Sequence, residues 1–294
     1  MMLRIGACDS QSGLLYASFT RNELARIGVE SELAFVRTQQ HPLQHEGSAQ
    51  AKHSAPHINA LEEALWGGEI DVAVHALRDV SVEQREGLVI TAVSQRTDPA
   101  EWLLIPREMT AQQSVLRLRP DAVAGTFNLR QTSQLLDIRP DICVQALRGE
   151  VPVCIENLRR GVYDAIVLSA TEVIEWETDL GEFDVVRFDP GEFVPAPAQG
   201  VLAWQTLRDD TATRLLLREI HHPEVSALTN VERRALQLLG SDLQMSAGIH
   251  CRQDAQGHYH AFAVCQTGEI LRRARLSSST SAGLAESLVR ALEL

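Results

Sequence analysis

The sequence predicts an α/β fold, a largely parallel sheet covered by helices. Three observations carry that prediction. Short apolar runs of strand length, at residues 3–7, 70–74 and 165–169, alternate with longer segments whose apolar residues recur at helical spacing. Two of those longer segments stop on glycine, at Gly67-Gly68 and at Gly161. Strands and helices separate into runs only in the tail, so the βαβ rhythm fills the first two-thirds of the chain.

The elements follow in order. Residues 3–7 form a strand and 13–27 a helix, with Leu14, Leu15, Ala17, Phe19, Leu24 and Ile27 as its apolar positions. A second strand covers 30–36, a helix 58–66, a third strand 71–74 and a fourth 88–93. A new unit starts near Pro99, with strands at 122–125, 142–146 and 165–169 and helices at 128–136, 153–160 and 170–176. Beyond Pro190 a Pro- and Ala-rich stretch, Val194-Pro195-Ala196-Pro197-Ala198-Gln199-Gly200, reads as a crossing segment. Helices at 211–220 and 225–239 follow. The tail carries strands near 248–252, 258–266 and 269–276, turning at Gly257 and Gly268, and closes with a helix at 282–292. No low-complexity tract and no repeat of solenoid period occurs.

Composition excludes several classes of function. A chain of 294 residues, 45% hydrophobic, is long enough for two or three domains. Its net charge of −12 argues against general binding to nucleic acid or anionic membranes. Of 27 basic residues only Lys52 is a lysine, and it sits in a polar, His-rich stretch, so Schiff-base chemistry is not expected. No P-loop motif occurs. The five cysteines, Cys8, Cys143, Cys154, Cys251 and Cys265, are scattered and odd in number, which fits a reduced, cytoplasmic protein. The start lacks the apolar core of a signal peptide, and no run is long enough to span a membrane.

Chemistry concentrates where strands end, the place where open α/β sheets bind ligands. Val74-His75-Ala76-Leu77-Arg78-Asp79-Val80 leaves an apolar strand and presents a guanidinium beside a carboxylate. Asp79 can hold a cationic or N–H-bearing reacting group, and Arg78 can clamp a carboxylate. Gly125-Thr126-Phe127-Asn128-Leu129-Arg130-Gln131 joins a strand to a helix start, where backbone N–H groups and Arg130 favour an anion. Leu147-Arg148-Gly149 repeats the arrangement after the next strand. Three strand-end arginines, Arg78, Arg130 and Arg148, suit a small anionic ligand if they converge; unrelated surface arginines are the plainer alternative.

The histidines read as non-metal. His41 with His45 and His53 with His57 form two H-x-x-x-H pairs, but Pro42 and Pro56 interrupt the helix that zinc binding would need. His250, Cys251, His258 and His260 lie on a predicted hairpin, where alternation puts His258 and His260 on one face.

At these motifs the sequence resembles the porphobilinogen deaminase (hydroxymethylbilane synthase) family. The resemblance runs from Leu3 to about Gly248. Its matching stretches are residues 71–79, Gly125-Thr126 with Leu129-Arg130, Arg139-Pro140-Asp141, Leu147-Arg148-Gly149, Gly161 with Tyr163-Asp164-Ala165-Ile166, Gln199-Gly200, His221-His222 and Glu232-Arg233. The resemblance implies two periplasmic-binding-protein-like α/β domains, at 1–96 with 190–216 and at 97–189, plus a small C-terminal α+β domain at 217–294. It places the active site in the cleft between the first two. It implies a transferase of tetrapyrrole (porphyrin, heme) biosynthesis, in which a cysteine holds a dipyrromethane primer by a thioether.

Carried over by position, Asp79 matches the catalytic aspartate, Arg78 stands at a family lysine, and Ser10, Arg130, Arg148 and Gln199 fall at substrate- or cofactor-binding positions. The chain also departs from the pattern. Leu243, within Leu239-Gly240-Ser241-Asp242-Leu243-Gln244, stands at the cofactor cysteine, and leucine forms no thioether. Cys8, Gln131, Cys154 and Glu175 stand at family arginines, Phe127 and Asn128 at serines, and Ser54 at a lysine. Each charge-assisted hydrogen bond lost to a carboxylate costs about 1.5–3 kcal/mol. No covalent cofactor is therefore expected unless Cys8 or Cys251 replaces the missing thiol. Three functions stay open: a pyrrole transferase, a non-catalytic binding or regulatory homologue, and an enzyme of changed substrate. The expected partner is a small anionic ligand such as a pyrrole carboxylate, bound by a monomer.

Overall fold

The structure, a computed structural model, describes residues 2–37, 56–240 and 246–293. It contains two compact units, Met1–Thr97 with Gly200–Ala227 and Asp98–Gln199 with Leu228–Leu294.

In the first unit, strands β1 (Leu3–Cys8), β2 (Ser31–Val36), β3 (Val72–Ala76), β4 (Leu88–Val93) and β10 (Leu202–Leu207) form one sheet in the order β2-β1-β3-β10-β4. β1 pairs in parallel with β2 and β3, whereas β10 runs antiparallel to both β3 and β4. Helices α1 (Gln11–Arg26), α2 (Pro56–Trp66) and α6 (Thr211–Arg218) complete the unit. One sheet face buries Leu3, Ile5, Val72, Val74 and Trp204 against Ala17 and Leu24 of α1. The other buries Ala73 and Leu88 against Leu61, Ala64 and Leu65 of α2. Burial on both faces explains why these strands read as continuous apolar runs.

In the second unit, β5 (Glu101–Pro106), β6 (Val123–Thr126), β7 (Cys143–Ala146), β8 (Ala165–Ser169) and β9 (Phe183–Arg187) form a sheet in the order β7-β6-β8-β5-β9. β6 is parallel to β7 and β8, and β5 is antiparallel to β8 and β9. Helices α3 (Leu129–Ile138), α4 (Val151–Arg159) and α5 (Ala170–Glu175) link its strands. This sheet repeats the strand order of the first, with an antiparallel strand at the fourth position. A third sheet is wholly antiparallel, with β11 (Ala247–Gln253), β12 (Tyr259–Thr267) and β13 (Ile270–Ser278) in that order. Its inner face packs Ile249, Cys251, Ala261, Ala263 and Cys265 on Val231 and Ala235 of α7 (Pro223–Leu239) and Leu284, Ala285 and Leu288 of α8 (Leu284–Ala291).

The α/β class expected from the sequence is what the chain adopts. The expected largely parallel pairing is corrected to mixed. The pattern marks no strand at β5, β9 or β10, and β5 and β10 are the strands that run against their neighbours in the two five-stranded sheets.

Candidate functional site

Asp79 and Arg78 stand at the end of β3. Four of its five residues are buried, and the chain then makes one tight turn, Leu77–Asp79. Buried Leu77 anchors that turn and donates its N–H to Val201 O at 2.8 Å. Anchoring at Leu77 leaves the next two side chains at the surface. Arg78 Nε lies 3.7 Å from Asp79 Oδ1, with the side chains 24% and 43% exposed, a loose pair that solvent screens.

Beneath the turn lies a buried polar chain. His75 Nε2 meets Gln205 Oε1 at 3.1 Å, and Gln205 Nε2 donates to Glu62 Oε1 and Gln84 Oε1, both at 3.0 Å. Gln205 thus offers His75 only an acceptor, so Nε2 carries the imidazole proton. Burial drives the His75 pKa down to about 4, keeping the ring neutral.

Ser10 is the N-cap of α1, its Oγ accepting from Gly13 N at 3.0 Å. Cys8 closes β1. Burial pushes its thiol up to about 11, and Sγ lies 3.8 Å from His57 O.

In the second unit the carboxyl ends of β6 and β7 are neighbours, with Leu147 N donating to Thr126 O at 2.8 Å. The loop after β6 satisfies itself. Asn128 caps α3 by accepting from Gln131 N at 3.0 Å, and Gln131 Oε1 accepts from Phe127 N at 2.8 Å. Those N–H groups, which the sequence offered to an anion, are taken by the loop's own side chains.

Arg130 is turned inward. Its Nη2 donates to Glu101 Oε1 at 2.6 Å, its Nη1 to Val194 O at 3.0 Å, and the Arg130 and Glu101 side chains are 5% and 0% exposed. Gln131 Nε2 reaches Glu101 Oε2 at 3.0 Å. Gln199 Nε2 donates to Pro99 O at 2.9 Å and to Glu101 Oε1 at 3.3 Å. Glu101, which the sequence reading passed over, thus gathers three candidate polar side chains. Arg148 is exposed at the end of β7 and, among the described residues, makes no ion pair.

Burial makes Cys8, Cys154, Cys251 and Cys265 poor nucleophiles. Cys154 is buried, its thiol pushed up to about 11 chiefly by burial, with Sγ directed at Arg148 O and Gly149 O. Burial also raises the Cys265 pKa, and Cys251 is fully buried in the inner face of the third sheet. Cys143 is exposed but opens β7, so three residues of strand, about 10 Å, separate it from the strand's carboxyl end. Glu175 closes α5 and is half-buried. Leu243, Ser54, His41, His45 and His53 lie outside the described residues. Among the described residues no group of three or more His, Cys, Asp or Glu side chains is arranged to hold a metal ion. No helix among them is long and apolar enough to cross a membrane.

Comparison with known proteins adds to this geometry. Residues 3–215 match the family described as porphobilinogen deaminase, dipyromethane cofactor binding domain. A porphobilinogen deaminase of Thermus thermophilus is 33% identical over 237 residues, covering 79% of this chain and 76% of its own. One from Trichlorobacter lovleyi is 34% identical over 252 residues, covering 84% and 78%. Among solved structures, an ancestral cationic amino acid solute binding protein aligns with a TM-score of 0.42 at 14% identity, covering 74% of this chain and 87% of that one.

Proposed function

The chain belongs to the porphobilinogen deaminase family of tetrapyrrole biosynthesis, and from that premise we propose that it binds a pyrrole carboxylate through Asp79 without extending a covalently held primer. Leu243 carries this reading: a leucine at the attachment position offers no atom to a thioether. The dipyrromethane group does not fit the thiols that are present. Cys8 and Cys154 are held as thiols with pKa values of about 11, and the thiolate is the reactive form.

The anion-binding capacity is also reduced. Glu101 neutralises Arg130 inside the second unit, so Arg130 and Gln199 hold the loop rather than a ligand. Arg78 and Arg148 stay partly and fully exposed at their strand ends, where they can meet ligand carboxylates. Asp79 serves as the acceptor for a pyrrole N–H or an aminomethyl ammonium, because an exposed carboxylate on a fixed turn accepts charge-assisted hydrogen bonds. A second reading, an enzyme acting on a different substrate, is favoured by Asp79 itself, which a passive binding protein has no physical need to keep beside Arg78.

Isothermal titration with porphobilinogen tests the binding. Wild type binds, and Asp79→Asn weakens binding by about tenfold or more, the loss of one charge-assisted hydrogen bond. Equal affinity for the two proteins removes Asp79 from the site.

A further inference from the structure

The outer face of the third sheet holds an arrangement that the tetrapyrrole reading does not use. In register across the strands lie Arg252 of β11, His260 of β12 and Ser277 of β13. Asp254, in the turn between β11 and β12, is fixed by the backbone: its Oδ1 accepts from Gln256 N and His258 N, both at 2.9 Å. Its other oxygen, Oδ2, lies 3.1 Å from His260 Nε2. His260 Nδ1 lies 2.7 Å from Ser277 Oγ.

The proton positions follow from the acceptors. The hydrogen bond from His260, together with those from the backbone, holds the Asp254 pKa down at about 2, so this carboxyl is an acceptor at neutral pH. His260 Nε2 therefore carries hydrogen; in the neutral ring Nδ1 is then the acceptor, and the Ser277 hydroxyl donates to it. Hydroxyl, imidazole and carboxylate form a chain in which the base takes the hydroxyl proton and the acid fixes its tautomer. The two ring nitrogens are exchanged relative to the familiar serine-protease order, but the roles are the same.

Positive charge lies on the same face. Arg252 is the register neighbour of His260, and Arg275 precedes Ser277 by two residues. Their guanidinium carbons lie 5.1 and 5.0 Å from the Phe262 ring centroid. Arg252 shares its charge with Asp189 at 3.4 Å, and His258 Nδ1 approaches the same Asp254 oxygen at 3.6 Å. Ser277 is exposed, and the His260 and Asp254 side chains are 26% and 29% exposed, so a solute can reach the hydroxyl.

We propose that Ser277, with His260 as its base and Asp254 orienting that base, is a nucleophile that accepts acyl groups from activated carboxylic esters. In the first step Ser277 Oγ bonds to the ester carbonyl carbon and its proton passes to His260 Nδ1. The bond from that carbon to the leaving oxygen breaks, and the departing alcohol takes the proton from His260. Water then attacks the acyl-serine by the same route, releasing the acid and restoring Ser277. Arg252 and Arg275, on the same sheet face, add positive charge to the surroundings in which the carbonyl oxygen becomes anionic.

The test uses the full chain with p-nitrophenyl acetate, reading phenolate release and mapping the acetylated residue by peptide mass spectrometry. Amine background is limited, because Lys52 is the sole lysine, and mapping the acetylated residue separates Ser277 from the five thiols and the other histidines. The expected result is an acetyl group on Ser277 and a rate that Ser277→Ala and His260→Gln each lower on the order of a hundredfold. Asp254→Asn keeps an oxygen for the turn amides but puts an N–H opposite Nε2, so it lowers the rate and changes its pH profile. Ser277→Cys retains acylation, which separates loss of the nucleophile from loss of the fold. An unchanged rate in Ser277→Ala or His260→Gln overturns the proposal. So does acetylation confined to Lys52 or the N-terminus, or an inert Ser277→Cys protein. Each outcome is independent of whether porphobilinogen binds.

Discussion

Glu101 shows how one side chain decides what its neighbours can do. It is fully buried and accepts hydrogen bonds from Arg130, Gln131 and Gln199. A buried ion pair gains little over a well-packed apolar pair, but breaking one partner leaves the other charged and unpaired. Glu101→Gln should therefore destabilise the protein by about 3–5 kcal/mol in urea denaturation, and adding Arg130→Met should recover part of the loss. A Glu101→Gln protein of wild-type stability would mean that Arg130 finds another partner.

His75 gives a pH signature at the same scale. Its pKa falls from 6.5 to about 4 through burial. Below about pH 6.5 the unfolded chain takes up a proton that the folded chain refuses until about pH 4. Stability is complete above that window and declines as the pH falls through it, by about 3 kcal/mol for this one group. His75→Asn should flatten the decline measured between pH 7 and 4. An unchanged slope would assign it to other residues.

Residues were unevenly legible in the sequence. Arg78 and Asp79 stood out because an apolar strand ended in two charges. Glu101 did not, since an acid ahead of the apolar run Trp102–Leu103–Leu104–Ile105 looks like a solvated strand start. Its role depends on Arg130 and Gln199, which only folding brings to it.

At the scale of elements, the βαβ strands, their helices and the C-terminal hairpins could be read from pattern alone, because each has a single face or pair of faces to bury. β10 could not. Its Gln205 and Thr206 break the apolar pattern, and both are buried only because His75, Glu62, Gln84 and Thr91 come to them in space. Close approach of elements is equally invisible. Gly248 of β11 lies against the 194–195 segment, where Ile249 N donates to Pro195 O at 3.0 Å. A Cβ at Gly248 would lie 2.5 Å from Val194 O and 2.8 Å from Val264 Cγ1. Gly248→Ala should thus cost about 1–3 kcal/mol, read from the denaturation midpoint. Ser10→Ala, which removes the α1 cap, should cost about 1 kcal/mol by the same measurement. If Ser10→Ala instead leaves stability unchanged and abolishes porphobilinogen binding, Ser10 is a ligand contact rather than a cap.

For the whole molecule, the two five-stranded sheets share one strand order, each with an antiparallel strand at the fourth place. No repeat in the sequence announces this, because topology is kept by burial pattern and connection, which tolerate wide changes in residue identity. Function depends less on that shared framework than on the side chains at the strand ends. Here Arg130 is neutralised from within by Glu101, and in the proposed function Asp79 is read as the ligand's acceptor and Leu243 as standing at the attachment position.

Incubating the purified protein with porphobilinogen, and measuring both its consumption and the linear tetrapyrrole formed, decides whether a primer is extended. The expected result is a folded protein that produces no tetrapyrrole and whose intact mass shows no pyrrole adduct. Sustained formation of the tetrapyrrole would contradict it, and would show that a primer is held without a cysteine at position 243.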